Sequence, residues 1–215
     1  MAAKTHTILI AGGSGLVGHA AIKFAIAAGH FVIALVRRGG SLSVEGLASE
    51  ETLKIIEVDF DALDQYQPEI SALAPNALIC ALGTTIRKAG SKDAFARVDR
   101  DYVAAFAALG RAAKASHFGL VSAVGADARS SNFYLRTKGE AEAAVRACGY
   151  LRVDNARPSF LLGRRAEART GERVGPLMIY HPIPATSVAR ALVNLSSRDE
   201  PGVFIQQYSE LVAAA

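Results

Sequence analysis

The chain has 215 residues, 51% of them hydrophobic, which fits one α/β domain with a sizeable core better than two domains. Its net charge of +4 suits an anionic ligand without requiring nucleic acid, and its two cysteines are too few for a disulfide framework or a Cys-based zinc site. No apolar run reaches the roughly 20 residues of a membrane span and no signal-peptide pattern is present, so we expect a cytoplasmic protein that uses neither a membrane nor nucleic acid as a partner.

The clearest local pattern lies near the start of the chain. An apolar run at 8–11 predicts a buried strand and residues 16–28 predict a helix, with glycines between them. This order opens a dinucleotide-binding fold, in which Gly12 permits a tight turn, Gly15 lets a pyrophosphate approach the backbone, and Gly18 lets helix and strand pack closely. The alternative is an ordinary structural turn. The predicted cofactor contacts in this loop are Gly12, Ser14, Gly15, Leu16, Val17 and Gly18.

Two arginines follow the second predicted strand, at residues 31–36. In this fold the end of the second strand meets the adenosine ribose, where an acidic residue binds a 2′-hydroxyl and an arginine suits a 2′-phosphate. Arg37 and Arg38 occupy these positions, and a guanidinium group can bind phosphate through two parallel hydrogen bonds. We therefore predict NADP(H) as the cofactor. The alternative is a solvated turn with two exposed cations.

A third predicted strand, at residues 53–58, is followed by Asp59 and Phe60. Two interpretations of this pair remain open. The residues either border the adenine ring of the cofactor, or they mark the start of a helix with Asp59 as its N-cap.

A fourth predicted strand, at residues 77–82, ends in Leu82 and continues into Gly83 and Thr84. Strand carboxyl ends line the ligand crevice of open α/β sheets, so we expect these three residues to contact the cofactor. The basic stretch at 86–96 is interpreted as a mobile loop.

Residues 98–116 predict a long helix, and residues 119–124 predict a fifth strand that ends near Ser122. Strands and helices alternate along the whole chain. This alternation predicts a single doubly wound parallel sheet flanked by helices over residues 1–215, with a small substrate-side extension at about 160–215.

Tyr134 and Lys138 are four residues apart, so on a helix they share one face. A phenol with an ordinary pKa of about 10 is a poor acid or base at neutral pH, and a nearby ammonium group lowers that pKa. Such a pair can pass a proton to or from a carbonyl or alcohol oxygen while hydride moves at a nicotinamide. The alternative is an ordinary amphipathic helix face, because this spacing is common.

The glycine loop, the serine after the fifth strand and the Tyr-x-x-x-Lys pair together resemble the short-chain dehydrogenase/reductase superfamily. Four stretches resemble more closely its Tat-interacting-protein oxidoreductase-like family: 82–85, 97–103, 130–134 and 165–172. The resemblance implies a Rossmann-type fold, NADP(H) binding and a catalytic set made of Ser122, Tyr134 and Lys138.

The same resemblance extends to three further positions. It places Arg157 and Pro158 in the segment that passes the nicotinamide, and Asp99 where many relatives carry an active-site asparagine. Lys138 is also expected to hold the ribose of the cofactor.

One departure from the family pattern affects the expected function. Relatives usually carry two or more hydroxyl residues after the fifth strand, whereas here Ala123 and Val124 follow Ser122. Two functions therefore remain open. The first is an NADP(H)-dependent oxidoreductase acting on a small carbonyl or alcohol compound, and the second is a non-catalytic NADP(H)-binding sensor with a protein partner. The sequence predicts no oligomeric state.

The C-terminal part contains four arginines in one stretch, 164, 165, 169 and 173. They form either a solvated loop or a substrate-side lid that recognises an anionic group. The chain after residue 160 is too short for the substrate domain of nucleotide-sugar epimerases, which predicts a small substrate or none.

Overall fold

The computed structural model describes residues 5–40, 42, 51–162 and 181–215. The strands in these ranges are β1 (Thr7–Ala11), β2 (Phe31–Arg37), β3 (Leu53–Val58), β4 (Ala77–Cys80), β5 (His117–Val121), β6 (Arg152–Ala156), β7 (Leu161–Leu162), β8 (Ile183–Pro184) and β9 (Gly202–Gln206). The α-helices are α1 (Leu16–Ala27), α2 (Gln67–Ala72), α3 (Ile86–Ala89), α4 (Lys92–Ala96), α5 (Tyr102–Ala112), α6 (Phe133–Ala147), α7 (Ala185–Leu195) and α8 (Tyr208–Ala214). A 3₁₀ helix (Phe60–Tyr66) precedes α2, and a π-helical turn (Arg97–Asp101) precedes α5.

Seven of these strands form one parallel sheet in the order β3-β2-β1-β4-β5-β6-β9. Ala11, at the end of β1, pairs with Leu35 of β2 on one side and with Cys80 of β4 on the other. The strand order therefore reverses between β1 and β4. Ligands of such sheets bind outside the strand carboxyl ends at this reversal point. The predicted doubly wound parallel sheet is confirmed.

Helices cover both faces of the sheet, which explains why its central strands are apolar throughout. Ile8 and Ile10 of β1 belong to the side-chain layer under α1 and α7, whereas Leu9 and Ala11 belong to the layer under α5 and α6. All four side chains are fully buried. The two layers hold the carboxyl ends of β1 and β4 next to each other, and these ends border the crevice.

Apart from shifts of strand ends, two predicted segments differ from the structure in the elements that they contain. The predicted mobile loop at 86–96 is wrong, because Thr85 and Ser91 each accept a backbone N–H bond through the side chain and start the short helices α3 and α4. The predicted helix at 98–116 begins with the π-helical turn and ends with α5 at Ala112. Turns of this kind occur often at functional sites.

A buried polar cluster of side chains from β5, β6 and β9 joins the edge strand β9 to the sheet. The carboxylate of Asp154 in β6 is fully buried and accepts bonds from Arg152 at 2.6 and 2.9 Å and from Gln206 of β9 at 2.7 Å. Nε2 of His117 in β5 lies 2.8 Å from the same carboxylate. Burial by itself raises the pKa of Asp154. The hydrogen bonds from these partners lower the pKa by more than burial raises it, so the net shift is downward. Asp154 thus stays ionised inside the protein.

Candidate active site

The turn after β1 requires glycine at its first position. Gly12 has a φ of +87°, and a Cβ atom there would lie 2.4 Å from the carbonyl carbon and oxygen of Ala81. Such a contact is far inside the van der Waals distance, so only glycine fits. The turn therefore passes directly against the segment that follows β4, at the reversal point of the sheet.

The other two predicted glycines have different neighbours. A Cβ at Gly18 would lie 2.2 Å from the carbonyl oxygen of Gly12, so glycine is needed there for α1 to approach the turn. Gly15 is exposed, and a Cβ there would meet only that same oxygen, at 3.3 Å. The space in front of Gly15 is thus open to a ligand, as the predicted approach of a pyrophosphate requires.

The first turn of α1 presents backbone donors to this open space. Gly15 is the N-cap of α1 with extended backbone angles and no side-chain cap, and its own N–H donates to the Gly12 oxygen at 3.0 Å. The N–H groups of Leu16, Val17 and Gly18 have no partner among the described residues. Free N–H groups at a helix N-terminus bind anions, so the loop is a suitable cradle for the phosphates of a dinucleotide. Ser14 is exposed beside it, whereas the Val17 side chain belongs to the core.

Arg37 and Arg38 lie at the carboxyl end of β2, on the β3 side of the glycine loop. Both are exposed, and neither side chain forms an ion pair with any residue in the described ranges. The backbone N–H of Arg38 donates to the carbonyl oxygen of Val58, which anchors this turn to β3. Within the described ranges the two guanidinium groups are therefore available to an anionic group at this end of the crevice.

Asp59 caps a helix. Its carboxylate accepts the N–H of Asp61 at 3.0 Å at the start of the 3₁₀ helix, which agrees with the N-cap interpretation. Phe60 is buried, with its ring centroid 5.4 Å from that of Tyr102. The contact with an adenine ring that we predict for this pair stays a prediction.

Lys138 and Asp99 form a buried ion pair at the carboxyl end of β4. Lys138 Nζ lies 2.7 Å from Asp99 Oδ1, and the two side chains are 8% and 1% exposed. The other carboxylate oxygen, Oδ2, accepts the backbone N–H of Thr84 at 2.8 Å. A Cβ added to Gly83 would lie 3.4 Å from Oδ1 and 3.9 Å from Nζ. The lysine thus lies against the loop after β4, next to the predicted cofactor contacts Gly83, Thr84 and, one residue earlier, the half-buried Leu82.

Tyr134 and Lys138 share α6, as the spacing predicts. The helix starts at Asn132, whose side chain accepts the N–H of Leu135 at 3.1 Å. The Tyr134 ring is half-buried, with its centroid 5.8 Å from that of the fully buried Phe95. Packing on α4 therefore fixes the ring one turn before the lysine.

The predicted catalytic serine is engaged elsewhere. Ser122 is buried just after β5, and its hydroxyl donates to Glu142 Oε1 at 2.5 Å. Glu142 in turn accepts two bonds from Arg157, at 2.9 and 2.6 Å. Ser122, Glu142 and Arg157 thus form one hydrogen-bonded group between β5, α6 and β6. The residue after Ser122 is the buried Ala123, which offers no second hydroxyl.

Glu142 is a residue that the sequence analysis missed. It follows Lys138 by one helical turn, so the spacing that joins Tyr134 to Lys138 also places Glu142 on the same face. Arg157 meets this glutamate, and Pro158 is buried with its carbonyl oxygen accepting the N–H of Val124. The contact of Arg157 and Pro158 with a nicotinamide stays a prediction.

The arginine-rich stretch at 163–175, interpreted as either a solvated loop or a substrate-side lid, lies outside the described residues. In the ranges that the structure does describe, no helix is long and apolar enough to cross a membrane. Within the same ranges, no group of three or more His, Cys, Asp or Glu side chains is placed to hold a metal ion.

The chain matches a known family of NAD(P)H-binding proteins. A family model described as NAD(P)H-binding matches residues 12–199. Rat HTATIP2 is 41% identical over 146 residues, which cover 64% of this chain and 59% of the rat protein. FMP52 of the yeast Lodderomyces elongisporus is 31% identical over 220 residues, covering 93% of this chain and 90% of the yeast protein. The alignment with the rat protein thus spans less than two thirds of that relative.

The expectation of a cytoplasmic protein is contradicted by these relatives. The FMP52 proteins of Lodderomyces elongisporus, Emericella nidulans and Scheffersomyces stipitis are all named as mitochondrial.

Solved structures share the fold. The Bordetella bronchiseptica enzyme WbmG in complex with NAD superposes with a TM-score of 0.71 at 15% identity, covering 94% of this chain and 72% of that one. The UDP-Glc/GlcNAc 4-epimerase of Campylobacter jejuni gives a TM-score of 0.75 at 12% identity, covering 97% and 82%. At these identities the similarity shows a Rossmann-type fold alone.

Proposed function

This chain belongs to the NAD(P)H-binding family, among the atypical short-chain dehydrogenase/reductases similar to HTATIP2, and on that premise we propose that it is an NADP(H)-dependent oxidoreductase. Its proposed substrate is a small carbonyl or alcohol compound. The observation that carries the proposal is the position of Lys138, a buried cation one helical turn from Tyr134 and 3.9 Å from the Cβ position of Gly83.

The glycine loop and Lys138 hold the cofactor in this proposal. The free N–H groups of residues 16–18 bind the pyrophosphate, and the open space at Gly15 lets it approach. The Lys138 ammonium binds ribose hydroxyls. A nicotinamide cofactor, when bound, supplies or accepts a hydride, and the protein orients its ring against the loop after β4.

The preference for NADP(H) over NAD(H) follows from Arg37 and Arg38. Two exposed guanidinium groups at the end of β2, without ion-pair partners in the described part of the chain, support a 2′-phosphate ligand. A carboxylate that would accept a bond from a free 2′-hydroxyl is missing from both positions.

Tyr134 moves the proton in the proposed reaction. Its Oη donates a proton to the substrate oxygen during reduction and takes it back during oxidation, so that charge does not build up on that oxygen. Ser122 is given no catalytic role in this proposal, because its hydroxyl is bonded to Glu142.

The test is NADPH oxidation with a panel of aldehydes, ketones and quinones. Tyr134→Phe keeps the ring that packs on Phe95 and removes the proton, so turnover should fall by about 10²–10⁴-fold with little change in NADPH affinity. Tyr102→Phe is the matched control, because it removes a phenol whose hydroxyl bonds the exposed Asp61 instead. Turnover that survives Tyr134→Phe intact would exclude Tyr134 as the acid.

A second candidate function is supported by the Ser122–Glu142 bond. An NADP(H)-binding sensor with a protein partner has no need of a hydroxyl beside the substrate, and Ala123 supplies none. This candidate predicts tight NADPH binding, no turnover with any compound of the panel, and the same NADPH affinity in Tyr134→Phe as in the wild type.

A further inference from the structure

The ion pair between Lys138 and Asp99 is the feature from which we argue further. Lys138 is the cation that the proposed function needs, yet its side chain is only 8% exposed. Taking an ammonium group out of water favours its neutral form, and buried lysines can lose their proton near neutral pH. A functional Lys138 therefore needs a group that compensates its charge inside the protein.

Asp99 is the group that meets this need. Its carboxylate contacts Nζ at 2.7 Å and is itself 1% exposed. The other groups that act on Lys138 are the Tyr134 phenol on its own helix and the Cys80 thiol of β4. Burial raises the pKa of Cys80 to about 12, so the thiol is uncharged at neutral pH. Among the groups facing the lysine in the described structure, the carboxylate thus supplies the full opposite charge.

Asp99 is also held in place from two sides. The π-helical turn at Arg97–Asp101 positions it under the loop after β4, and the N–H of Thr84 binds its second oxygen at 2.8 Å. Burial alone lowers the pKa of Lys138, but the Asp99 carboxylate reverses this effect, so the pKa lies above its ordinary value.

We propose that Asp99 is a positioning residue that keeps Lys138 charged and fixed beside Gly83, where the lysine meets the cofactor. The functional part of this inference rests on the proposed oxidoreductase or NADP(H)-binding function. The electrostatic part does not, because it concerns two side chains of the folded protein without any ligand.

The electrostatic part is tested by urea unfolding between pH 7 and 9.5 without cofactor. In Asp99→Asn the buried lysine should be neutral in the native state and protonated in the unfolded state. Folding then releases a proton. As the pH rises, the unfolding equilibrium constant of the variant should therefore fall, relative to that of wild type, by up to about tenfold per pH unit. Asp101→Asn is the matched control, since it removes an exposed carboxylate two residues away. Its unfolding equilibrium constant should depend on pH as that of wild type does.

The double variant Asp99→Asn/Lys138→Met completes the test. It removes both charges, so its pH dependence should return to that of wild type. If Asp99→Asn does not fold at neutral pH, the double variant should fold, because the uncompensated ammonium is gone. The proposal is overturned if the unfolding equilibrium constant of Asp99→Asn has the same pH dependence as that of wild type. It is also overturned if neither Asp99→Asn nor the double variant folds.

The functional part is tested by NADPH titration of Asp99→Asn and wild type at pH 7 and 9, where Lys138 should be neutral in the variant and charged in wild type. At both pH values the variant should bind NADPH at least about tenfold more weakly, because Lys138 lacks the charge that binds the cofactor. Equal affinity of the two proteins would overturn this part. A wild type that binds no NADPH at either pH would refute the proposed function instead, and the unfolding experiment would still decide the role of Asp99.

Discussion

Gly15 and Gly18 belong to one loop, and the structure predicts opposite effects for a side chain at each. Gly15 has φ −81° and ψ 168°, which suit any residue, and a Cβ there meets only the Gly12 oxygen at 3.3 Å. We therefore expect Gly15→Val to fold, with a loss of at most about 1 kcal/mol from the poorer N-cap. At Gly18 a Cβ lies 2.2 Å from the same oxygen, and overpacking of this kind costs about 1–3 kcal/mol.

For NADPH binding, the order of the two effects should be reversed, so that the substitution at Gly15 causes the larger loss of affinity. The valine side chain at position 15 occupies the space in front of the free N–H groups of residues 16–18. Loss of two charge-assisted bonds to phosphate, at about 1.5–3 kcal/mol each, corresponds to roughly 10²–10⁴-fold weaker NADPH binding. Gly18→Ala should reduce stability first and affect affinity only through displacement of the loop.

Two measurements separate these effects: urea unfolding of each variant, and calorimetric titration of each folded variant with NADPH. If the Gly15→Val variant binds NADPH as tightly as wild type, the loop is a structural turn and not a phosphate site. If the Gly18→Ala variant is as stable as wild type, α1 and the turn do not need their close contact.

Two further predictions concern charge. Replacing Arg37 and Arg38 with Ala should weaken NADPH binding by about 1.5–3 kcal/mol per lost contact and leave NADH binding unchanged. Calorimetric titration measures both affinities, and Arg198→Ala, which removes another exposed arginine, is the control. Equal losses of affinity for both cofactors would contradict a 2′-phosphate site. Asp154 has a lowered pKa in the folded protein, so its contribution to stability should be complete above the unfolded-state pKa of about 4 and be lost as pH falls through the folded value. Asp154→Asn should flatten this acid limb of the unfolding free energy, and a limb that is unchanged would exclude Asp154 as its source.

Local patterns predicted the geometry of the glycine loop and the place of Tyr134 and Lys138 on one helix. The glycine spacing at 12, 15 and 18 follows from what one turn and one helix need, and the four-residue spacing of Tyr134 and Lys138 follows from the helical repeat. These relations hold within a few residues of chain, where backbone geometry is the same in every protein. The family resemblance rests on the same short motifs and is confirmed by the comparisons.

The end residues of strands and helices were predicted less well than the presence of these elements. β4 ends at Cys80 and β5 at Val121, each earlier than the apolar runs suggest, so Leu82 and Ser122 lie in loops. An apolar residue after a strand looks the same in sequence whether it is paired or only packed. The helices α3 and α4 depend on single hydroxyl caps, at Thr85 and Ser91, within a stretch whose charge suggests a loop.

The sequence by itself determined the doubly wound fold, the glycine loop and the helical pairing of Tyr134 with Lys138, because each depends on short-range repeats. Only the tertiary structure decided that Asp99 meets Lys138 and that Ser122 donates to Glu142. Both contacts join side chains from separate elements, and their geometry depends on how the sheet aligns its strand ends against α6. Desolvation then makes the pairing of these buried polar groups obligatory, and no local pattern identifies the partner of a buried charge.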